Sequence, residues 1–506
     1  MAFAPDLEGL LAEVVPDAAG PGLVVGVAVE GAGMRVAARG LADLDHGVPL
    51  TAHSVFHVAS VSKQVTAGLV DHLVAEGALS YDDPVAQWLP WFPFPAVRVA
   101  HLAVHTSGLR DHWSLFELGG RRMDDVLTAD DAMRTLAMQH TLNFPTGGWQ
   151  GYSNTNYTLL ALIVAEVVGR PFPAVADEWL AAIGLRDTRV VGSYGAVVPR
   201  RATSYDAGPD GPRRVALSYE VVGSTSLHTT APDLLRWLAT GRVDRTPEAC
   251  AAAGLPTELA GAETYGLGVR HGRYGAEETR YHAGADAGFR TYVVRVPGPG
   301  VGVVVLSNLG SIDVEAAAHK VLALVLPPDP AHPPDPASTP PTGRFLDPRH
   351  ALLIDLADLP GIPGGVGFDG AHGAMRLTPA APGRWAGPMA ELIAQPDLAV
   401  SDDPVRAPHR WRRLDPAGPA LTPGLYWCDE IDAHLWVIQD GEDGPAAVAL
   451  PGGAAHVAEH AGEGWYAVPV PDREVARLTL RVVSPDALRC SVFGAQDLLY
   501  RRVDRE

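Results

Sequence analysis

At 506 residues the chain is too long for one ordinary domain and predicts about two to four. Its composition, 47% hydrophobic and 19% charged, is that of a soluble globular protein, and a formal net charge of −20 argues against nucleic-acid binding or attachment to an anionic membrane surface. Three cysteines, Cys250, Cys428 and Cys490, are odd in number and far apart, so neither a disulfide framework nor a cysteine zinc site follows.

The first twenty residues, MAFAPDLEGLLAEVVPDAAG, are acidic and lack a basic region, a hydrophobic core and a cleavage site. Leu7, Leu10, Leu11 and Val14 instead mark one face of a short amphipathic helix. No uncharged apolar stretch reaches the ~18 residues of a membrane span, so a cytoplasmic protein is expected. Residues 22–29 (GLVVGVAV) and 34–40 (MRVAARG) read as a hairpin around Glu30-Gly31-Ala32-Gly33. A helix follows across FHVASVSKQVTAG, where Val61, Val65, Leu69, Leu73 and Val74 recur at helical spacing and no Pro intervenes before Pro84. From Tyr81 the text is loop-rich as far as HLAVHTSGL at 101–109. A helix near 129–138 precedes the turn PTGG, then Tyr152-Ser153-Asn154 and a helical run at 158–168. Residues 223–240 read as a loop entering a helix with Pro232 in its first turn. Strand patterns return at 265–270, 290–296 and 301–306, the last two split by PGPG, before a final helix at 314–326. Strands at both ends with helices between predict an α/β domain, residues 1–326, on an antiparallel sheet flanked by helices. Residues 327–341, PPDPAHPPDPASTPP, hold eight prolines in fifteen and read as a stiff linker. Short strands divided by Gly, Pro and Asp turns then predict two small all-β barrels, 342–420 and 421–506, parted near DPAGPALTP.

Three constellations could carry chemistry. Ser60 and Lys63, at i and i+3, stand on one helix face near its N-terminus, where free backbone N–H groups point outward. A Ser hydroxyl is a poor nucleophile until a neighbour takes its proton, and a neutral amine can do so. Lys63 is one of two lysines, with Lys320, among 39 basic residues; the rest are Arg, which cannot give up a proton. Tyr152 and Asn154 form a second pair: a Tyr facing a cationic Lys is pushed toward phenolate, and an Asn can orient a substrate amide. His282-Ala283-Gly284 is the third, small residues beside a His at a strand edge. Each has a plainer reading: a chance spacing, a Tyr closing a hydrophobic seam, a structural His. HVAEH at 456–460 matches the zinc pattern H-x-x-E-H. That chemistry needs a helix, and the β-patterned, glycine-bounded segment argues against one, so no metal is expected.

In the order Ser-x-x-Lys, Tyr-x-Asn, His-x-Gly, the chain resembles the penicillin-recognising serine hydrolases, in the branch of class C β-lactamases, D-Ala-D-Ala carboxypeptidases, esterases and D-aminopeptidases. The resemblance covers about residues 5–326 and extends to HTSGL, PTGGWQGYSNTNYTLLALIV, GLRDT, STSLHTTAPDLLRW and VVVLSN. It implies a β-lactamase-like catalytic domain with Ser60 as nucleophile and Lys63 and Tyr152 sharing the base role. By the same resemblance Asn154 positions substrate, His282 contacts it, and the oxyanion sits between the N–H groups of Ser60 and Ala285, beside Gly284. His282 departs from the Lys of most penicillin-binding members, which weakens carboxylate recognition. GRFLDPRHALLIDLADL, GLYWCDEIDAHLWV and SVFGAQDLLYRRV are similar to the C-terminal barrels of D-stereospecific aminopeptidases. The corresponding cleft-closing turn would lie at PDRE, where Asp472 or Glu474 would pair the substrate ammonium. The resemblance thus implies a D-aminopeptidase acting on peptides, amides or esters. The alternatives are an esterase or amidase of other specificity, a carboxypeptidase or β-lactamase, and a non-catalytic binding protein. Expected partners are a small peptide or amino-acid amide and at most a second copy of the chain; no cofactor, nucleic acid or membrane is expected.

Overall fold

A computed structural model describes residues 5–122, 124–148, 150–242, 265–327, 342–347, 351–357, 412–439, 441, 444–471, 477–492 and 494–503, with the backbone alone of 358, 366–370, 373–381, 384–386, 391–394, 398–401 and 409–411. The chain divides into two compact units. The first comprises Met1–Ser107, Val126–Asp130 and Thr155–Pro330; the second comprises Gly108–Asp125, Asp131–Asn154 and Ala331–Glu506. The stretches 108–125 and 131–154, which the sequence reading kept with the catalytic domain, thus cluster with the C-terminal part of the chain.

The first unit is built on a seven-stranded antiparallel sheet. Its strands are β1 (Leu23–Val29), β2 (Gly33–Arg39), β3 (Tyr265–Gly266), β4 (Val269–Tyr274), β5 (Glu277–Asp286), β6 (Phe289–Val296) and β7 (Val301–Ser307), in the order β3-β4-β5-β6-β7-β1-β2. The N-terminal hairpin therefore completes a sheet made mostly from residues far downstream, with Val25 opposite Val305. β7 is buried at every residue and β1 over its first five, because both faces are covered. On one face lie α1 (Leu7–Val14) and a last helix at Val314–Val325; Leu7, Leu10 and Leu11 meet Val25, Val27, Val303, Val305 and Val321 in one core. Asp6 caps α1 by accepting from the Gly9 N–H at 2.9 Å.

Against β1 and β7 also packs the helix Ala231–Ala239, with Pro232 in its first turn as expected. The serine-bearing helix α2 (Ser62–Ala75) reaches it through Gly68, where a Cβ would stand 2.9 Å from the Trp237 ring and 3.0 Å from the Trp179 ring. Trp179 belongs to a helix at Phe172–Ala182 that the sequence reading left out. Pro171 and Pro173 bracket its start, where prolines are tolerated in a first turn but read as breakers in a pattern. Among the described residues no single helix is long and apolar enough to cross a membrane.

The second unit holds an eight-stranded sheet between Gly343 and Trp411 and a nine-stranded sheet between Gly424 and Val503. In the first, Leu346 exchanges both backbone hydrogen bonds with Arg412, at 2.8 and 3.1 Å, which ties the first strand to the end of the last. In the second, Gly424–Cys428 pairs with both Ala433–Gln439 and Ala495–Val503, giving a nearly closed barrel. Alternating burial along Ala433–Gln439 sends Leu435 and Val437 inward. There they join Tyr426, Leu480, Cys490, Leu498 and Tyr500, with Leu115 and Leu118 from the helix His112–Leu118. The HVAEH segment forms parts of two strands, Ala455–Val457 and Glu459–Gly462, so its histidines share no helix face.

Candidate active site

The nucleophile candidate sits on a distorted turn. A short 3-10 turn, Ala59–Val61, leads into α2, and Ala59 has φ +47°, a conformation that costs a non-glycine residue about 1–3 kcal/mol. Side chains hold it on two sides. His57 Nδ1 accepts from the Ala59 N–H at 3.2 Å, and Ser62 Oγ donates to the Ala59 carbonyl at 2.6 Å. Ser60 itself is half-buried. One turn on, Lys63 is fully buried, with Nζ 3.1 Å from Ser60 Oγ and 2.8 Å from the Ser224 carbonyl. The helical spacing read from the sequence thus places amine and hydroxyl within hydrogen-bond reach.

Beneath Lys63 lies an aromatic floor. Its Nζ is 5.9 Å from the Tyr157 ring centre, and the His105 and Tyr265 rings meet edge to face at 4.4 Å. His282 belongs to this floor and is 2% exposed, with Nε2 2.9 Å from the Tyr265 hydroxyl and Nδ1 bonded to the Ala283 carbonyl. A neutral ring satisfies both contacts, Nδ1–H donating and Nε2 accepting. Burial, helped by the charges of Lys63 and Arg270, holds the imidazole well below its usual range. His105 is depressed likewise, by burial first and then by Lys63.

The strand β5 presses directly on the nucleophile turn. At Gly284 a Cβ would stand 2.5 Å from the Val58 carbonyl oxygen and 3.1 Å from Ala59 Cβ, so only glycine permits this approach. Pairing of β4 with β5 stops at Tyr281, so among the described residues β5 continues through His282–Asp286 with β6 alone as neighbour. Ala285, on this half-open stretch, points its methyl outward. Under the turn, Asp286 Oδ2 accepts from the Tyr219 hydroxyl and from Thr225 Oγ1 (3.0 Å), with His57 Nε2 4.0 Å away. Burial raises Asp286 against the pull of those two bonds, and it lowers His57 to about 3.

Tyr152 and Asn154 lie in the second unit, Tyr152 half-buried. Asn154 donates from both its backbone N–H and its Nδ2 to Asp111 Oδ2, at 2.6 and 2.9 Å. Asp111 in turn caps the helix His112–Leu118 through the Trp113 N–H at 2.9 Å and donates its own N–H to the Gly494 carbonyl at 2.7 Å. Beside it, buried Arg110 pairs with buried Glu430 at 2.7 Å. Glu430 also accepts from the N–H groups of His140 (3.1 Å) and Thr141 (3.0 Å). Asp472 and Glu474, expected to meet a substrate ammonium, fall outside the described residues.

Of the residues singled out, the structure gathers Ser60, Lys63, His282, Gly284 and Ala285 in the first unit and Tyr152 and Asn154 in the second. The sequence reading missed Ser62, Ser224, Tyr265 and Asp111. Ser62 and Ser224 lie inside quoted motifs, but nothing in a motif says which backbone group a hydroxyl or carbonyl will meet. Tyr265 and Asp111 carried no signal.

A family model described as Beta-lactamase matches residues 7–326. A D-aminopeptidase of Cereibacter sphaeroides is 29% identical over 358 residues, covering 67% of this chain and 66% of its own, so the chain spans just under two thirds of that relative's length. The crystal structure of D-amino acid amidase from Ochrobactrum anthropi SV3 with D-phenylalanine is 21% identical with a TM-score of 0.52, covering 63% of this chain and 97% of its own. A crystal structure of SurE is 20% identical with a TM-score of 0.53 and covers 98% of both chains. At such identities the two structures speak for the fold alone. A family match over more than half the sequence, on an antiparallel sheet flanked by helices with a Ser-x-x-Lys turn at its edge, gives one conclusion: the chain belongs to the beta-lactamase family.

Proposed function

We propose that the chain is a serine hydrolase that removes N-terminal D-amino acids from small peptides, amides or esters through an acyl-enzyme. The observation that carries this is the fully buried Lys63 amine 3.1 Å from the hydroxyl of Ser60, in a chain similar to D-aminopeptidases. Lys63 and Tyr152 share the base role: Ser60 Oγ gives its proton to that pair as it forms a bond to the substrate carbonyl carbon, whose oxygen becomes the oxyanion. The N–H groups of Ser60 and Ala285 receive that charge. Tyr152, assigned by the Tyr-x-Asn motif, protonates the leaving amine as the C–N bond breaks, and Asn154 orients the substrate. Water then bonds to the acyl carbon and gives a proton to the Lys63–Tyr152 pair, and the acyl bond to Ser60 breaks as that pair returns a proton to Ser60 Oγ, releasing the amino acid.

His282 supports an aminopeptidase over a carboxypeptidase. Its ring is buried, neutral and bonded at both nitrogens, so it supplies no permanent positive charge for a carboxylate. Turnover of D-alanine p-nitroanilide, L-alanine p-nitroanilide and p-nitrophenyl acetate tests the reading. The expected result is hydrolysis of the D-anilide over the L-anilide, abolished by Ser60→Ala with the fold intact. Ester turnover without D-anilide turnover would establish an esterase, and activity in Ser60→Ala would remove Ser60 from the chemistry.

A further inference from the structure

We propose that Ser62, the second serine of Ser60-Val61-Ser62-Lys63, is the positioning residue of the oxyanion donor. The inference rests on the reading of Ser60 as nucleophile. A peptide group is planar and trans, so the direction of its carbonyl fixes the direction of its N–H on the opposite edge. The peptide between Ala59 and Ser60 carries the Ala59 carbonyl on one edge and the Ser60 N–H on the other. Ser62 Oγ donates to that carbonyl at 2.6 Å. The same Oγ accepts from the Leu227 N–H at 3.0 Å, and Ser62 is 3% exposed. Its one proton is thus committed to Ala59, and the Leu227 N–H, at the start of a short strand at Leu227–Thr229, sets where the oxygen sits.

The turn needs such a tether. Ala59 at φ +47° is strained, and its carbonyl also accepts from the Ser62 backbone N–H, a donor shared with the Ser60 carbonyl; without the short Oγ bond that shared contact is the weaker restraint, and the peptide relaxes toward ordinary backbone angles, turning the Ser60 N–H with it. Oxyanion donors act by being aimed beforehand at where charge develops, so a misdirected N–H costs rate rather than substrate binding. A serine near a helix start could otherwise be a local turn former, worth stability and nothing else. The two roles predict different losses.

The experiment compares wild type, Ser62→Ala and Ser62→Thr, which keeps the hydroxyl, with p-nitrophenyl acetate, a substrate that needs only nucleophile and oxyanion donors. Ser62→Ala is expected to lower kcat by on the order of 10–100-fold with KM changed by less than about twofold. Affinity for benzeneboronic acid, which adds to the nucleophile as a tetrahedral anion, is expected to weaken in parallel, and Ser62→Thr to recover most of both. A kcat for Ser62→Ala within about threefold of wild type, whatever its melting temperature, overturns the positioning role. If Ser62→Ala fails to fold, Ser62→Cys keeps the volume with a poor donor and carries the same expectation. Absence of fluorophosphonate labelling at Ser60 in the wild type overturns the serine-hydrolase reading and this role with it. Labelling combined with an unimpaired Ser62 variant overturns this role alone.

Discussion

Replacing Glu430 by Gln is expected to destabilise the second unit far more than an ordinary polar substitution. Arg110 and Glu430 have side chains only 1% and 5% exposed. The carboxylate accepts from the Arg110 guanidinium at 2.7 Å, from the N–H groups of His140 and Thr141, and from Thr141 Oγ1 at 2.8 Å. A carboxamide keeps the shape but removes the charge, and turns an NH₂ toward donors. Leaving one partner of a buried ion pair uncompensated costs about 3–5 kcal/mol. At about 2–4 °C per kcal/mol for a unit of this size, the melting temperature should fall by about 6–20 °C. Urea unfolding followed by tryptophan fluorescence measures the loss. The double variant Arg110→Met/Glu430→Met removes the stranded charge and should recover part of it, but not all, because the His140 and Thr141 N–H groups still lack an acceptor. A loss below about 1 kcal/mol for Glu430→Gln would refute the reasoning, since it would mean the guanidinium finds water or another acceptor at no cost.

Two further outcomes follow from the first unit. Gly284→Ala places a methyl 2.5 Å from the Val58 carbonyl oxygen and 3.1 Å from Ala59 Cβ, so β5 must back away from the Ser60 turn. The expected result is at least about a tenfold loss of kcat on p-nitrophenyl acetate, with the change in overall stability within about 1–3 kcal/mol; unchanged kcat would show that β5 plays no part. His57, His105, His228 and His282 all have folded values pushed down, chiefly by burial. The unfolded chain therefore binds protons that the folded one refuses. Stability from these groups is complete above the ordinary histidine value of 6.5 and is lost as pH falls below it, toward about 3 for His57. Each contributes about 1.4 kcal/mol per pH unit in that window, so urea midpoints should drop clearly from about pH 7.5 to about pH 5.5. Equal midpoints would show the rings already protonated in the folded state.

What the sequence disclosed was what is local. Ser60 and Lys63 meet because i and i+3 share a helix face whatever the rest of the chain does. The hairpin of β6 and β7 is announced by PGPG, and the barrel strands by alternation between Gly, Pro and Asp turns. Contacts across long separations were not legible. The Lys63 amine finds the Ser224 carbonyl 161 residues away, and Asn154 finds Asp111 across 43. His282 stood out in the sequence as a candidate, but its burial and its bond to the Tyr265 hydroxyl, 17 residues away on another strand, did not. The helix Phe172–Ala182 was hidden by its own prolines.

The ion pair between Arg110 and Glu430 also sets a clock. The two residues are 320 positions apart. A ribosome adding about 5–20 residues per second needs roughly 16–64 s to go from one to the other. During that interval the segments 108–125 and 131–154, with Tyr152 and Asn154, have been made while the strands they cluster with have not. The first unit can begin to condense on the ribosome, but the stretch bearing the Tyr-Ser-Asn motif must wait with an unneutralised guanidinium for the far end of its own chain. A chain arrested in the proline-rich segment would hold every strand of the first sheet and none of the strands with which residues 108–125 and 131–154 cluster.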